Sequence, residues 1–218
     1  NPKVEGKGIA DLKNAGINTE LRDEFSRELT ELNEDYFKYV RSGLPFVTAK
    51  YAMTLDGNIA TNSGSSKWIT GEKARAYVHQ LRNTHRAILV GIGTVLKDNP
   101  RLDVRLVKKL RDPLRIIIDP RGETGPDAHV MNGEQDSVFL VGRQAGAEFL
   151  KLCDQRHKWH YQLDAPFDPM EIIRLLGREL GIDSLLVEGG GRVLHSFLQA
   201  NAIDKVIACV APKILGGN

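Results

Sequence analysis

The chain has little cysteine, little net charge and no long apolar run, and each shortage argues against a class of function. Its two cysteines, Cys153 and Cys209, lie far apart and match neither a metal-binding nor a redox spacing. A formal net charge of only +2 gives no reason to expect nucleic acid or an anionic membrane as partner. No stretch is apolar enough to cross a bilayer, and the first residues lack a signal-peptide pattern. We therefore expect a cytoplasmic protein with neither membrane nor nucleic acid as partner.

Several catalytic signatures are also missing. The sequence contains no Gly-x-Ser-x-Gly elbow and no cysteine-nucleophile pattern, and no Walker lysine follows its glycine clusters. His157 and His160 are three residues apart, but no third ligand stands near them, so we expect no metal site. These absences disfavour serine or cysteine hydrolysis and nucleotide hydrolysis.

What is present is enough apolar sequence for a substantial core. With 218 residues and 41% hydrophobic content, the chain predicts one domain or a little more. The spacing of apolar residues predicts one amphipathic helix over 23–40, ending near Gly43 and Pro45. After this boundary, apolar strand-like runs alternate with helical patterns, except over 144–166, where the pattern is ambiguous. The predicted strands are 46–53, 87–90, 115–118, 138–141, 185–187 and 206–210, and helices are predicted at 71–84, capped by Thr70, and from 169 to about 177. This order predicts an α/β fold with a mostly parallel central sheet and helices on both faces.

The stretch from Leu185 to Leu198 reads as strand, triple-glycine turn and helix. Glycines at such a junction let a ligand approach the backbone, and the N-terminus of the following helix suits a phosphate or diphosphate. The same glycines are also consistent with a mere tight connection. Gly91 and Gly93 form a second glycine pair after a strand. Glu188 ends its strand at the sheet edge where α/β proteins bind ligands, so it could hold a polar substrate or be a surface charge.

Two arginines are candidates for binding a separate phosphate. The planar guanidinium donates two parallel hydrogen bonds to one anion. Arg82 lies near the end of one predicted helix, and Arg105 lies just after the Asn99-Pro100 turn. Taken singly, an arginine in such a position is more often a surface charge. His195 lies on the helix after the glycines, where packing or capping is more typical than catalysis.

From Pro45 onward the chain resembles the reductase domain of the bifunctional riboflavin-biosynthesis deaminase/reductase, which has a dihydrofolate-reductase-like fold. The resemblance rests on ordered blocks: Lys50 to Gly57, Ile59-Ala60, Ser66 to Thr70, Leu81-Arg82, Gly93 to Leu96 with Asp98, Pro100, Leu102 and Arg105, Ile118-Asp119, Val187 to Gly190, and Ala211 to Lys213 before Leu215-Gly216. The first residues resemble the end of the deaminase domain. We therefore divide the chain into residues 1–44, a deaminase remnant and linker, and residues 45–218, a reductase domain whose C-terminal end we expect to be missing. The deaminase zinc motifs are absent, so zinc is expected only if the full-length protein carries that domain.

The resemblance implies NADPH-dependent reduction of 5-amino-6-ribosylaminopyrimidinedione 5′-phosphate to its ribitylamino product, by a homodimer built through the reductase sheet. It implies that Lys50 and Glu188 act on the ribosyl group. The substrate would be held by Ser66, Arg82, Leu102, Arg105 and Glu188. NADPH would be held by Ala52, Trp68, Thr94, Asp98, Gly190, Gly191, Arg192, Val193, Leu194, His195 and Ser196, with Arg121 placed to read the adenosine 2′-phosphate.

Two other functions fit the same sequence. A dihydrofolate-type pterin reductase would share the fold, since fold alone does not fix the substrate. A non-catalytic nucleotide-binding or dimerisation module would bind NADPH without turnover.

Overall fold

The computed structural model describes residues 6–22, 24–59 and 71–216, and their centre is a seven-stranded sheet. Its strands lie in the order β5-β4-β3-β2-β6-β1-β7, and each neighbouring pair is parallel. The predicted α/β fold with a parallel sheet is thus confirmed. The strands are β1 Phe46–Thr54, β2 Ala87–Gly91, β3 Leu114–Ile118, β4 Ser137–Val141, β5 Trp159–Gln162, β6 Ser184–Val187 and β7 Lys205–Ala211.

Strand β2 is apolar at every position because both faces of the sheet are covered. In β2, Ala87 and Leu89 point into one core layer, whereas Ile88 and Val90 point into the other. The first layer includes Phe197 of the last helix, and the second includes Phe149 on the opposite face. Successive side chains of a strand point to opposite faces of the sheet, so every position of a strand covered on both faces is buried.

Eight helices lie in the described parts of the chain. They are α1 Lys7–Asn14, α2 Ser26–Leu32, α3 Glu34–Ser42, α4 Glu72–Thr84, α5 Ile92–Asp98, α6 Ala147–Gln155, α7 Pro169–Arg178 and α8 Gly191–Gln199. The ambiguous segment 144–166 therefore contains α6 and β5. Gly71 occupies the N-cap position of α4, whereas Thr70, the predicted cap, lies outside the described residues. In these same regions, no helix is both long and apolar enough to span a membrane.

The prediction of one continuous helix over 23–40 is wrong. The described part of this stretch forms α2 and α3, which are separated at Asn33 (φ −124°, ψ 34°). The Asn33 side chain donates to the carbonyl oxygen of Leu29 at 2.9 Å. Short polar side chains that bond to nearby backbone compete with helical hydrogen bonds, which explains the break within an otherwise regular apolar pattern.

Helix α3 is fixed to the sheet. Lys38 pairs with Asp204 at 2.5 Å, and the same carboxylate accepts the backbone N–H of Val47 in β1 at 2.7 Å. The Tyr39 hydroxyl donates to the Gly177 carbonyl of α7 at 3.2 Å. Residues 34–43 are therefore part of the sheet's packing, and the division of the chain at residue 44 stays a prediction.

The strand order creates a crevice at one edge of the sheet. From β1 the chain crosses to β2 and continues outward to β5, and β6 then returns to lie between β2 and β1. The carboxyl ends of β1, β6 and β2 thus adjoin at the point where the winding direction changes. In open parallel sheets, ligands bind outside such a switch point.

Candidate active site

A cavity of about 980 Å³ opens over the carboxyl ends of β1, β6 and β2, beside the N-termini of α5 and α8. We call it the main cavity. Its lining brings together residues that lie far apart in the sequence and that were predicted from the sequence to form the site. These are Lys50, Ala52, Arg82, Thr94, Asp98, Leu102, Glu188, Gly190, Gly191, Arg192, Val193, Leu194 and Ser196.

A second, smaller cavity of about 650 Å³ adjoins the first, and we call it the basic cleft. Its charged lining consists of Lys50, Glu72, Arg75, Arg82, Arg105 and Glu188, so positive charge exceeds negative. Arg75 and the group formed by Lys50, Arg82 and Glu188 line both cavities and mark their junction.

The junction is built around the Glu188 carboxylate. Arg82 binds it with two hydrogen bonds, from Nε to Oε1 at 2.8 Å and from Nη2 to Oε2 at 2.9 Å. Lys50 Nζ lies 3.7 Å from Oε2. The strand register places Ala49 beside Val187. The residues that follow them, Lys50 and Glu188, therefore lie at the same edge of the sheet. Side-chain exposure is 8% for Glu188, 12% for Arg82 and 16% for Lys50.

This pairing keeps Glu188 ionised. Burial is the largest effect and by itself favours the neutral acid, but the charge and hydrogen bonds of Arg82, aided by Lys50, lower the pKa of Glu188 below its ordinary value. Burial likewise opposes the charge on Arg82, yet Glu188 and its hydrogen bonds raise the pKa of the guanidinium. The junction therefore holds a buried carboxylate between two cations.

The two arginines named from the sequence share the basic cleft but do not form a clamp of two free guanidinium groups. Arg82 is committed to Glu188, and its Nη1 donates to the Asp103 carbonyl at 3.2 Å. Arg105 pairs with the Asp103 carboxylate, and half of its side chain remains exposed. Arg105 lines only the basic cleft and is thus the more accessible of the two.

The sequence suggested two roles for the triple-glycine bend, a tight connection and room for a ligand. The geometry supports both, at different residues. A Cβ on Gly189 would lie 2.8 Å from Cβ of Val193, and one on Gly91 would lie 2.8 Å from its Cγ2. These two glycines are therefore required by close packing. A Cβ on Gly190 would meet nothing closer than Thr94 Oγ1 at 3.7 Å, and Gly191 is similarly open. The ligand-facing part of the bend is Gly190 and Gly191.

The main cavity has the features that a dinucleotide requires. Helix α8 starts at Gly191 with no side-chain cap and no acidic residue in its first turn, which leaves its N-terminus suited to a diphosphate. Far from the Glu188 end, the wall is apolar and includes Ile118, Pro120, Phe167 and Ile172. The residues present thus fit a nicotinamide dinucleotide.

Leu102 lines the main cavity in a strained conformation. Its φ of 57° lies in the left-handed region, and its side chain is buried. A bulky residue in this region costs free energy, and such strain concentrates at functional sites.

Two of the sequence-predicted residues that the structure describes lie outside both cavities. Ser66 and Trp68 are outside the described residues. His195 is exposed on α8 and lines neither cavity, so its assignment to the cofactor has no support in the geometry. Arg121 is exposed, pairs with Glu123 at 3.0 Å and likewise lines neither cavity, although its neighbour Pro120 does line the main one. Across the described ranges, no cluster of His, Cys, Asp and Glu could hold a metal ion.

Sequence reasoning missed His79 and Arg75, which line the basic cleft. Both lie on α4 with Arg82, at positions 75, 79 and 82. Residues three or four apart share a helix face, so this spacing was the available signal.

The family model for the RibD C-terminal domain matches residues 45–218. The chain is 40% identical to the riboflavin biosynthesis protein RibD of Aquifex aeolicus, over 99% of this chain and 60% of that protein. A solved Thermotoga maritima structure described as a diaminohydroxyphosphoribosylaminopyrimidine deaminase/5-amino-6-(5-phosphoribosylamino)uracil reductase is 37% identical, with a TM-score of 0.83 over 96% of this chain and 56% of that one. The riboflavin biosynthesis reductase Rib7 of Saccharomyces cerevisiae is 25% identical, with a TM-score of 0.66 over 87% of this chain and 85% of that one. The chain thus spans 60% of the length of the first of these relatives.

Proposed function

The chain belongs to the RibD C-terminal reductase domain family, and on this premise we propose that it reduces the ribosyl group of 5-amino-6-ribosylaminopyrimidinedione 5′-phosphate with NADPH. The product would be the ribitylamino compound of riboflavin biosynthesis. The observation that carries the proposal is the junction of Lys50, Arg82 and Glu188, which joins a dinucleotide-sized cavity to a cleft with excess positive charge.

The cofactor would lie along the main cavity, with its diphosphate at the start of α8. Gly190 and Gly191 leave room for it, and the side chains of Thr94 and Ser196 lie on the same wall. The apolar end near Phe167 suits the adenine ring, which places the opposite end of the dinucleotide by the junction. When bound, the reduced nicotinamide supplies the hydride.

The substrate would place its phosphate in the basic cleft and its ribosyl carbon at the junction. We propose that the sugar reacts as its open-chain imine, so that C1 accepts the hydride and the imine nitrogen takes up a proton from solvent. Lys50 is the candidate for polarising this group, because its ammonium lies 3.7 Å from Glu188, too far for a hydrogen bond, and so retains donors for substrate. Glu188 would fix the position of Lys50, and the buried environment would strengthen the field of the ammonium.

Arg82 would act mainly by holding Glu188. Its guanidinium is the bidentate partner that keeps this carboxylate ionised at the junction, as the lowered pKa of Glu188 indicates. Arg105 is then the better candidate for direct contact with the substrate phosphate.

The test is consumption of NADPH by the purified chain in the presence of the deaminated pyrimidine phosphate. A Lys50→Met variant is expected to lower kcat by about 100-fold, as the loss of a group that stabilises developing charge typically does, with NADPH affinity little changed. Lys151→Met, on an exposed position of α6, is the matched control and should retain full activity. A Lys50→Met enzyme with kcat within twofold of wild type would remove Lys50 from the reaction.

The same assay separates the alternative functions. The proposed function predicts turnover of the phosphorylated pyrimidine and no turnover of dihydrofolate. Tight NADPH binding without oxidation by either compound would instead identify a non-catalytic module.

We also propose that the enzyme is a cytoplasmic homodimer that associates through the sheet. In the described residues β7 is an edge strand that pairs with β1 and exposes Val206 and Val210. Long exposed apolar edges are surfaces that pair with other chains. Sedimentation velocity of wild type and of a Val206→Lys, Val210→Lys variant tests this, and a wild-type monomer would refute it.

A further inference from the structure

His79 lies in the basic cleft and has no role in the site described so far. It belongs to α4, one turn before Arg82, and only 4% of the residue is exposed. Its Nδ1 accepts the backbone N–H of Arg105 at 3.2 Å. In the described parts of the chain, its other ring nitrogen, Nε2, has no protein partner.

The hydrogen bond at Nδ1 fixes which nitrogen carries the proton. A backbone N–H only donates, so Nδ1 is the acceptor, and in the neutral imidazole the proton is on Nε2. Burial is the largest cause that lowers the pKa of His79, and the charges of Arg82 and Arg105 add to it. The ring is therefore a neutral donor. In the described parts of the chain its Nε2–H has no protein partner and is not a fully buried atom, so a ligand in the cleft can supply the acceptor.

The surroundings of His79 indicate an anionic acceptor. The cleft is lined by four cationic side chains and two carboxylates. Of these carboxylates, Glu188 is already bound by Arg82, and the Glu72 side chain is 94% exposed. A phosphate monoester carries up to two negative charges and offers only acceptor oxygens to a neutral N–H donor.

We propose that His79 completes a phosphate subsite in the basic cleft, in which Nε2–H donates to a phosphate oxygen and Nδ1 holds the backbone that carries Arg105. The phosphate is that of the proposed substrate, so this inference rests on the proposed function. His79 is thus a substrate-binding residue through one nitrogen and a positioning residue through the other.

Two substitutions separate these roles. In His79→Asn the amide oxygen reaches the Nδ1 position and still accepts from Arg105, but the donor into the cleft is lost. In His79→Gln the amide reaches the Nε2 position, so the donor is kept and the support of Arg105 is lost. His157→Asn is the matched control, because His157 is exposed and its φ of 52° is one that asparagine tolerates.

The experiment measures KM for the pyrimidine phosphate, competitive inhibition by inorganic phosphate, and NADPH affinity. His79→Asn is expected to raise KM and the phosphate inhibition constant together, by about 10- to 100-fold, as loss of a hydrogen bond to a charged group does. Its kcat and NADPH affinity should stay within twofold. His79→Gln should raise both constants by less than His79→Asn does, and His157→Asn should match wild type.

The imidazole itself gives a readout that a purely structural residue would not. In wild type, inorganic phosphate should shift the Nε2 resonance of His79 in long-range ¹H–¹⁵N spectra and leave the Nδ1 resonance nearly unchanged. Unchanged KM and phosphate inhibition in His79→Asn would overturn the proposal. The proposal would also be overturned if both variants showed the same rise in KM together with the same losses of NADPH affinity and thermal stability. If wild type fails to turn over the substrate yet shows the phosphate-dependent Nε2 shift, the proposed function fails and the subsite stands.

Discussion

Replacing Arg82 with methionine would leave the Glu188 carboxylate buried without its bidentate partner. The substitution removes two hydrogen bonds to Glu188, at 2.8 and 2.9 Å, and one to the Asp103 carbonyl at 3.2 Å. Methionine retains most of the apolar stem of the side chain, so packing changes little. Breaking one side of a buried ion pair typically costs about 3–5 kcal/mol, because the remaining charge loses its main partner; Lys50 would remain 3.7 Å from Oε2, too far for a hydrogen bond. We expect a loss of this size in the free energy of unfolding at pH 7.

The loss should depend on pH in a defined direction. In wild type the pKa of Glu188 is lowered, so its contribution to stability is complete above the ordinary glutamate pKa of about 4.3 and is lost as pH falls through the lower folded value. In Arg82→Met the lowering effect of Arg82 is removed while burial, the largest single cause, remains, so we expect the pKa of Glu188 to rise above its ordinary value. The variant then takes up a proton as pH falls from 7 towards 5 and is relieved of its buried charge. The destabilisation should shrink to about 1–2 kcal/mol, the cost of the lost hydrogen bonds alone.

Urea unfolding followed by far-ultraviolet circular dichroism at pH 7 and pH 5 measures both quantities. Arg86→Met is the matched control, because Arg86 is mostly exposed and lies 3.8 Å from Asp183. An exposed pair of this kind contributes about 0–1 kcal/mol, so the control should change stability little at either pH. A loss in Arg82→Met that is equal at pH 7 and pH 5 would refute the assignment of a charged, buried Glu188.

Two further perturbations test the packing of the site and of the core. Gly189→Ala should destabilise the fold by about 1–3 kcal/mol, because its Cβ would lie 2.8 Å from Val193, whereas Gly190→Ala should keep the melting temperature and weaken NADPH binding. Equal melting temperatures in the two variants would contradict the division of the bend into packing and ligand-facing glycines. Burial raises the pKa of the Cys153 thiol to about 12, so native protein at pH 8 should react rapidly with a disulfide reagent at Cys209 and only slowly at Cys153. Mass spectrometry of the labelled peptides checks this, and rapid labelling of Cys153 would mean that its core layer opens readily.

The order of elements was predictable because it depends on local pattern. Runs such as Ala87 to Val90 are apolar at every position, and only a strand covered on both faces requires that. The break at Asn33 was not predictable from periodicity, because the competing side-chain bond to Leu29 leaves the apolar spacing unchanged. The segment that contains α6 and β5 was ambiguous because its apolar pattern is weak. Strand β5 is a short edge strand with a half-exposed pattern.

The sequence by itself determined which kinds of residue stand at the strand ends: a lysine in the first strand, a glutamate after the sixth and glycines before the last helix. Tertiary structure alone decided how they combine. Insertion of β6 between β1 and β2 brings Lys50 beside Glu188, and the direction in which α4 packs turns Arg82 onto that carboxylate rather than towards a free phosphate. The pairing of charges depends on distance and burial, and both are properties of the folded chain that no local pattern encodes.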